Sequence, residues 1–226
     1  SRAFSEVIQA RNAATPPPAA PPPTGSIRTT AEIAQTLLTT RGRRNHAVPV
    51  TLPLVLPPAE LPLDPYLLGL WLGDGTTTAG NITTPDPQVV ESFDAVFARG
   101  AIRPAGLMAN TYTFLGLSTV LRALGVLGDK HVPLRYLRAS REQRLALLQG
   151  LMDADGTVTQ SGSVEFTTTR WRLAQAAHEL IVSLGWKARI VEGRARLNGR
   201  DCGPKWDITW TPNEYVFRLE RQISKQ

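Results

Sequence analysis

The chain has 226 residues, a formal net charge of +6 at pH 7 and a pI of about 10.0, which fits a polyanionic partner such as a nucleic acid. Its single cysteine, Cys202, excludes an intrachain disulfide framework and suits a reducing cytoplasm. No apolar stretch is long enough to span a membrane, so we expect no membrane association. The excess of arginine over lysine, with abundant alanine and proline, indicates GC-rich bacterial coding, and hence a cytoplasmic bacterial protein.

Residues 1–60 differ in composition from the rest and are expected to form an N-terminal arm. A short helix is predicted over Phe4–Ala10. The proline-rich stretch Pro16–Pro23 then predicts an extended polyproline linker. A second helix is predicted over Thr30–Leu38, with Thr29 or Thr30 as its N-cap.

A basic turn, Arg41–His46, follows that helix and contains Arg43 and Arg44. It leads into a proline-interrupted strand predicted over Val48–Leu56. The turn is a candidate for contact with DNA or with a neighbouring protein domain, and the sequence leaves both open.

An apolar run ending in Asp-Gly occurs twice, at Leu67–Gly75 and at Leu148–Gly156. A single run of this kind is ordinary, because glycine commonly follows a helix end. The two runs share small residues four positions apart: Gly69 and Gly73, and Gly150 and Ala154. Such residues lie on one helical face and let two backbones approach closely. Two helices packed in this way would bring Asp74 and Asp155 together as a ready site for a divalent cation.

The predicted helix starts agree with a duplication. Asp64 precedes a proline and is expected to cap the first helix. Ser140 and Gln143 form a capping box at the start of the second helix. The two runs are therefore predicted to be equivalent helices.

The segments after the two runs also correspond. Thr76–Thr84 and Thr157–Thr169 each predict a strand, a glycine-containing turn and a second strand. A helix is predicted after each, over Pro87–Arg99 and Arg170–Leu184. Two related halves are the simplest explanation of this order.

A basic hairpin is predicted in the second half around the turn Asn198-Gly199. The candidate DNA-contacting residues there are Lys187, Arg189, Arg194, Arg196 and Arg200. We expect two strands with basic side chains on one face, a ribbon that can lie in the major groove of DNA. An ordinary solvated hairpin is the alternative.

The duplicated runs resemble the paired motifs of LAGLIDADG homing endonucleases, specifically the single-chain, two-repeat type found within inteins. The resemblance implies an α/β (α+β) fold of two pseudo-twofold-related αββαββα repeats, residues 61–139 and 140–226. In such a fold the motif helices pack together, and antiparallel sheets form a DNA-binding saddle. A monomer is implied, because one chain supplies both repeats.

The same resemblance implies the active site. Asp74 and Asp155 would bind Mg²⁺, or Mn²⁺ in its place, with Gly73 and Ala154 alongside them at the metal. Leu72 departs from the family pattern, but it does not stand at the metal-binding position.

A lysine is implied beside this site. Gly128–Pro133 resembles a family block built around Lys-x-(Ile/Val)-Pro, which makes Lys130 a catalytic candidate. Lys205 stands at a similar offset in the second repeat, and Lys187 is its rival. The alternative is that these lysines are simply solvated, as most lysines are.

The implied function is site-specific cleavage of double-stranded DNA, as the homing domain of an intein. The stretch Ile27–Pro49 resembles the segment that joins the splicing domain of replicative-helicase inteins to their endonuclease, so an intein splicing domain is a further expected partner. The splicing residues themselves are not expected here, since Lys225 stands where a histidine would be needed. The alternatives are a cleavage-inactive relative that binds nucleic acid, or an insert that only supports intein structure.

Overall fold

The computed structural model describes residues 25–99, 110–160 and 162–226. The chain divides into two compact units, Ser1–Thr51 and Leu52–Gln226. Within the described residues, no helix combines the length and the apolar character needed to cross a membrane.

The first unit contains helix α1, Thr30–Gln35. Thr29 caps it through a capping box, in which its hydroxyl accepts from Glu32 N at 3.2 Å and its N–H donates to the Glu32 carboxylate at 2.7 Å. The prediction of a helix with Thr29 as its cap is confirmed, but the helix ends at Gln35 and not at Leu38. The predicted segments Phe4–Ala10 and Pro16–Pro23 lie outside the described residues.

The basic turn folds back on itself after α1. Thr39 N donates to Arg43 O at 2.7 Å, and Arg44 forms an isolated bridge with Leu38. Both Arg43 and Arg44 are exposed.

The predicted strand over Val48–Leu56 is wrong, because this stretch has no regular secondary structure. Pro49 and Pro53 lack the N–H that a strand ladder needs. One backbone hydrogen bond joins this stretch to Ser183, from Leu54 N to Ser183 O at 2.9 Å.

The second unit contains the remaining elements. Its helices are α2 (Pro65–Asp74), α3 (Pro87–Asp94), α4 (Leu117–Ala123), α5 (Leu134–Leu137), α6 (Arg141–Asp155), α7 (Trp171–Ser183) and α8 (Glu220–Ile223). Its strands are β1 (Asn81–Thr83), β2 (Thr111–Thr113), β3 (Gly156–Val158), β4 (Val164–Thr168), β5 (Arg189–Leu197) and β6 (Arg200–Trp210).

The second repeat has the expected order αββαββα, from α6 to α8. Its four strands form one antiparallel sheet in the order β3-β4-β6-β5. The face carrying Phe166, Ile208 and Trp210 is buried against the helices. This confirms the predicted architecture for the second half of the chain.

The described part of the first repeat is smaller. It runs α2-β1-α3-β2-α4-α5, and β1 and β2 pair with each other as an antiparallel two-stranded sheet. The first predicted strand after Gly75 is reduced to a single bridge from Gly75 to Ile82. The full αββαββα order is therefore not seen in the described residues of this repeat.

Helices α2 and α6 form the centre of the second unit. Asp64 caps α2 by accepting from Tyr66 N at 2.8 Å and from Leu67 N at 3.2 Å, and Ser140 caps α6 through the predicted capping box. Leu68, like Leu70 and Trp71 in the same helix, is fully buried. Burial on all sides explains why the first run is apolar throughout.

The two helices touch through their backbones. A Cβ placed on Gly69 would lie 2.4 Å from Leu147 O, and one placed on Gly150 would lie 2.2 Å from Tyr66 O. These distances are shorter than any normal contact, so only glycine fits at either position. The close packing predicted from the small residues is confirmed.

Replacing Gly69 with alanine should lower the free energy of unfolding by about 3 kcal/mol, because the added methyl group forces the two backbones apart. The measurement is urea unfolding followed by circular dichroism. Gly193→Ala is the matched control, since its Cβ would lie 3.4 Å from Lys205 Cε, an ordinary contact. Equal stability of the two variants would contradict this packing.

Candidate functional site

Asp74 and Asp155 end the two central helices on the same side of the molecule. A Cβ placed on Gly73 would lie 2.3 Å from Ala154 Cβ and 3.1 Å from Asp155 Oδ2. At the helix ends Gly73 therefore packs directly against the side chain of Ala154. The structure brings the two predicted acids together, next to this contact of Gly73 with Ala154.

Burial disfavours the ionisation of both carboxylates. Burial raises the pKa of Asp74 from its ordinary 3.8 to about 6, and the negative charge of Asp155 adds to the shift. Burial also raises the pKa of Asp155, although part of this side chain reaches solvent. Such a pair is stabilised by any cation placed between its members.

Lys130 supplies a cation at this position. Its Nζ donates to Gly73 O at 3.0 Å and lies 5.1 Å from the centre of the Trp71 ring. The residue is only 5% exposed. Burial, followed by the nearby charge of Arg170, lowers the pKa of Lys130 to about 8, while Asp155 and Asp74 act in the opposite direction. Of the predicted lysines, Lys130 is the one that the structure brings to the acid pair.

The donor set fits a hard divalent cation. The described residues contain no group of three or more His, Cys, Asp and Glu side chains suited to a metal. Two carboxylates are present, and Gly73 and Ala154 could contribute only their carbonyl oxygens. Mg²⁺ prefers oxygen ligands and commonly keeps several waters, so a few protein oxygens suffice.

Lys205 lies elsewhere, on β6. Its ammonium donates to Asp207 Oδ1 at 3.0 Å, and Asp207 also accepts from Thr167 Oγ1 at 2.7 Å. Pairing with Asp207 raises the pKa of Lys205. Its rival Lys187 is exposed in the loop before β5. A catalytic role for Lys205 remains a prediction.

Arg170 and Arg221 lie near the acid pair and were not singled out from the sequence. Arg170 donates to Thr77 Oγ1 at 3.2 Å, and its charge acts on Lys130. The charge of Arg221 lowers the pKa of Asp74. One sequence signal could have found Arg221, because Glu220-Arg221 repeats the acid–base order of Asp129-Lys130.

Asp153, where the first motif has Leu72, is fully buried and has a structural role. It accepts from Tyr66 OH at 2.8 Å, from Arg218 N at 2.9 Å and from Leu219 N at 3.2 Å. It thereby ties the C-terminal segment to both central helices. Burial raises the pKa of Asp153 to about 6, against the lowering effect of these hydrogen bonds.

The predicted hairpin is confirmed as β5 and β6, joined by a two-residue turn in which Asn198 has φ +50° and Gly199 has φ +79°. The expectation that its basic residues share one face is wrong. Side chains alternate along β5, so Arg189 lies on one face, and Arg194 and Arg196 lie on the other.

The pairing register between β5 and β6 shows which residues lie on the buried face of the sheet and which lie on the opposite face. Arg189 pairs with Thr209, on the sheet face opposite the buried one, together with Lys205 and Asp207. Arg194 instead lies on the face of the buried Ile208, beyond the end of the core, and its guanidinium bonds Asp201 at 2.8 Å. Arg196 and Arg200, near the hairpin tip, are exposed.

Comparison with known proteins finds similarity over most of the chain. Residues 142–220 match the family model described as a LAGLIDADG-like domain. A replicative DNA helicase DnaB of Mycobacterium intracellulare is 41% identical over 199 residues, which cover 87% of this chain and 32% of the helicase. An iron-sulfur cluster assembly SufBD family protein of Mycobacterium leprae is 33% identical over 117 residues, which cover 43% of this chain and 13% of that protein. The chain thus spans a third or less of each relative.

Among solved structures, those of the homing endonuclease I-DmoI are similar to this chain. A structure of its mesophilic variants has a TM-score of 0.43 and 15% identity, and the match covers 66% of this chain and 88% of that chain. A TM-score below 0.5 makes this a general similarity only.

The raised pKa of Asp74 gives a test in metal-free buffer. Because the folded-state pKa of about 6 exceeds the ordinary 3.8, the stability contributed by the proton is present below about pH 4 and is lost as pH rises through 6. Asp74→Asn should therefore match the wild type near pH 4 and exceed its unfolding free energy above pH 6, on the order of 1 kcal/mol after solvent screening.

The control for this test is Asp94→Asn. Arg99 lowers the pKa of Asp94, so this variant should lose stability at neutral pH and approach the wild type in acid. Chemical unfolding at several pH values measures both. A parallel response of the two variants would contradict the assigned environment of Asp74.

Proposed function

We propose that this chain is a LAGLIDADG endonuclease that uses a divalent metal ion to cut double-stranded DNA at a specific site, and the match of residues 142–220 to the model of a LAGLIDADG-like domain supports this. The observation that carries the proposal is the convergence of Asp74, Asp155 and Lys130. Close backbone packing brings the two acids together, and Lys130 is buried against the same helix end.

The chemistry of this cluster suits phosphodiester hydrolysis. A bound Mg²⁺, or Mn²⁺ in its place, neutralises phosphate charge and makes a coordinated water more acidic. Asp74 and Asp155 would hold it, with the carbonyl oxygens of Gly73 and Ala154 as further ligands. Lys130 would direct positive charge at the phosphate as negative charge develops there. The Trp71 ring covers one side of Lys130 and keeps water from it.

Double-stranded DNA is the proposed substrate. The net charge of +6 supports binding to a polyanion. We place the contact surface on the open face of the second sheet, which carries Arg189, Lys205 and Thr209. Further proposed DNA contacts within the second unit lie in the hairpin and at its base: Arg194, Arg196, Arg200 and Lys187. Arg43 and Arg44, in the first unit, are proposed as DNA contacts in their own right. A monomer would be sufficient for cleavage, because one chain supplies both acids.

The genetic setting proposed is an intein within a replicative DNA helicase. In support, similarity to this chain covers 32% of a replicative DNA helicase and 13% of an iron-sulfur cluster assembly protein, two proteins whose names describe unrelated functions. A segment shared by otherwise different proteins is what a mobile insert leaves behind. An intein splicing domain is the corresponding protein partner.

Neutralising either acid tests the proposed reaction. Asp74→Asn and Asp155→Asn should each lower single-turnover cleavage at least about a hundredfold, because each removes a charged metal ligand while keeping its shape. DNA affinity in EDTA should remain within a few-fold of the wild type. The measurement is cleavage of a plasmid carrying the uninterrupted helicase site, with Mg²⁺.

Asp94→Asn, a surface acid outside the site, is the control and should cut normally. Specific binding by the wild type without strand breakage at any Mg²⁺ or Mn²⁺ concentration would assign the chain to the cleavage-inactive relatives instead.

The face assignment of the hairpin gives a second test. Arg189→Ala should weaken binding and reduce the slope of log affinity against log salt by about one, because one phosphate contact is lost. Arg194→Ala should change the slope less, since Asp201 already neutralises Arg194. Fluorescence anisotropy with labelled duplex at several salt concentrations measures both. The reverse order of effects would place DNA on the other face of the hairpin.

A further inference from the structure

Lys130 belongs to a dipeptide, Asp129-Lys130, that touches both halves of the second unit. Lys130 Nζ donates to Gly73 O, at the end of the motif helix of its own half. Asp129 forms an ion pair with Arg172, in the first turn of α7 of the other half. Arg170, the N-cap residue of α7, is close enough for its charge to act on Lys130.

A second dipeptide, Glu220-Arg221, makes a similar set of contacts. Arg221 Nη2 donates to Asp153 O at 3.2 Å, at the end of the motif helix of its own half. Its Nε donates to Asp86 Oδ2 at 2.8 Å, and Asp86 is the N-cap residue of α3 in the other half. Glu220 N donates to the Gln88 side chain at 3.2 Å.

The two sets are similar in arrangement, although Arg221 bonds the carbonyl of Asp153 and not that of Ala154, the counterpart of Gly73. Each dipeptide is an acid followed by a base, and each base bonds a carbonyl near the end of its own motif helix. Each base also lies by the N-cap residue of the other half's helix, Arg170 in one case and Asp86 in the other. Each acidic residue also contacts the residue two positions after that N-cap: the Asp129 carboxylate accepts from Arg172, and the Glu220 backbone N–H donates to Gln88. This is the relation expected of positions exchanged by a pseudo-twofold axis.

We propose that Arg221 is the second half's counterpart of Lys130 and contacts the scissile phosphate of the second DNA strand. The assignment rests on the proposed endonuclease function. It places Arg221, and not Lys205, in the cation position of the second half-site.

The geometry leaves Arg221 able to do this. Its side chain is 49% exposed, and its hydrogen bonds to Asp86 and Asp153 use Nε and Nη2. The guanidinium has five N–H donors, so further donors remain for phosphate oxygens. Lys205, in contrast, is held by Asp207 on the sheet.

Strand-resolved cleavage tests the assignment. The substrate is a duplex carrying the uninterrupted site, with each 5′ end labelled separately, under single-turnover conditions with Mg²⁺. Arg221→Gln should slow one strand at least tenfold more than the other, and Lys130→Gln should slow the opposite strand. Arg221→Lys should recover most of the lost rate, because it restores the positive charge.

Asp86→Asn is the matched control for a purely structural role. It removes the ion pair with Arg221 but keeps the guanidinium, so both strands should be cut within about twofold of the wild-type rate. Circular dichroism and DNA affinity in EDTA establish that each variant folds and binds. Equal slowing by Asp86→Asn and Arg221→Gln would reduce Arg221 to a structural contact and overturn the assignment.

The remaining outcomes separate the two proposals. Normal wild-type cutting with unchanged rates in Arg221→Gln, or strand-selective slowing by Lys205→Gln instead, overturns the Arg221 assignment alone. A wild type that binds the duplex but cuts neither strand overturns the endonuclease function, and this assignment falls with it.

Discussion

The contact between the backbones of α2 and α6 is the constraint on which the rest of the second unit depends. Gly69 and Gly150 leave no room for a methyl group, so the distance between the helices is set by main-chain atoms and not by flexible side chains. At the helix ends Gly73 packs against the side chain of Ala154, so Asp74 and Asp155 are held together although their charges repel. The packing of the core therefore determines the electrostatics of the site.

Positive charge around the acid pair compensates for that repulsion. Lys130 is buried against the end of α2, and Arg221 bonds the end of α6. Both lower the pKa of Asp74, which burial and Asp155 raise. Asp153 stands only two positions before Asp155, yet its carboxylate accepts hydrogen bonds from the Tyr66 hydroxyl and from the backbone of Arg218. Neighbouring acids on one helix thus serve different purposes, because one faces the interior and the other faces the site.

The two repeats are related but unequal in the residues described. The second has a four-stranded sheet with a long hairpin, whereas the described strands of the first form a short two-stranded sheet. The cations differ as well, a lysine in one half and an arginine in the other. An asymmetric site is what recognition of an asymmetric DNA sequence by a single chain requires, since each half can then read different bases.

The sequence by itself determined the duplication, the capped starts of α2 and α6, the glycine contact between them and the turn at Asn198-Gly199. All of these follow from local rules: side-chain size, hydrogen-bonding caps and the φ angles that a turn demands. The prolines in Val48–Leu56 are also a local signal against a strand, because they lack the N–H groups that a strand ladder needs.

Only the tertiary structure decided which charges meet. The face of the hairpin on which each arginine lies depends on strand register, and the pairing of Lys205 with Asp207 depends on alternation along β6. The approach of Arg221 to the acid pair depends on how the end of the chain packs across both halves. These are contacts between residues far apart in sequence, and no local preference specifies them.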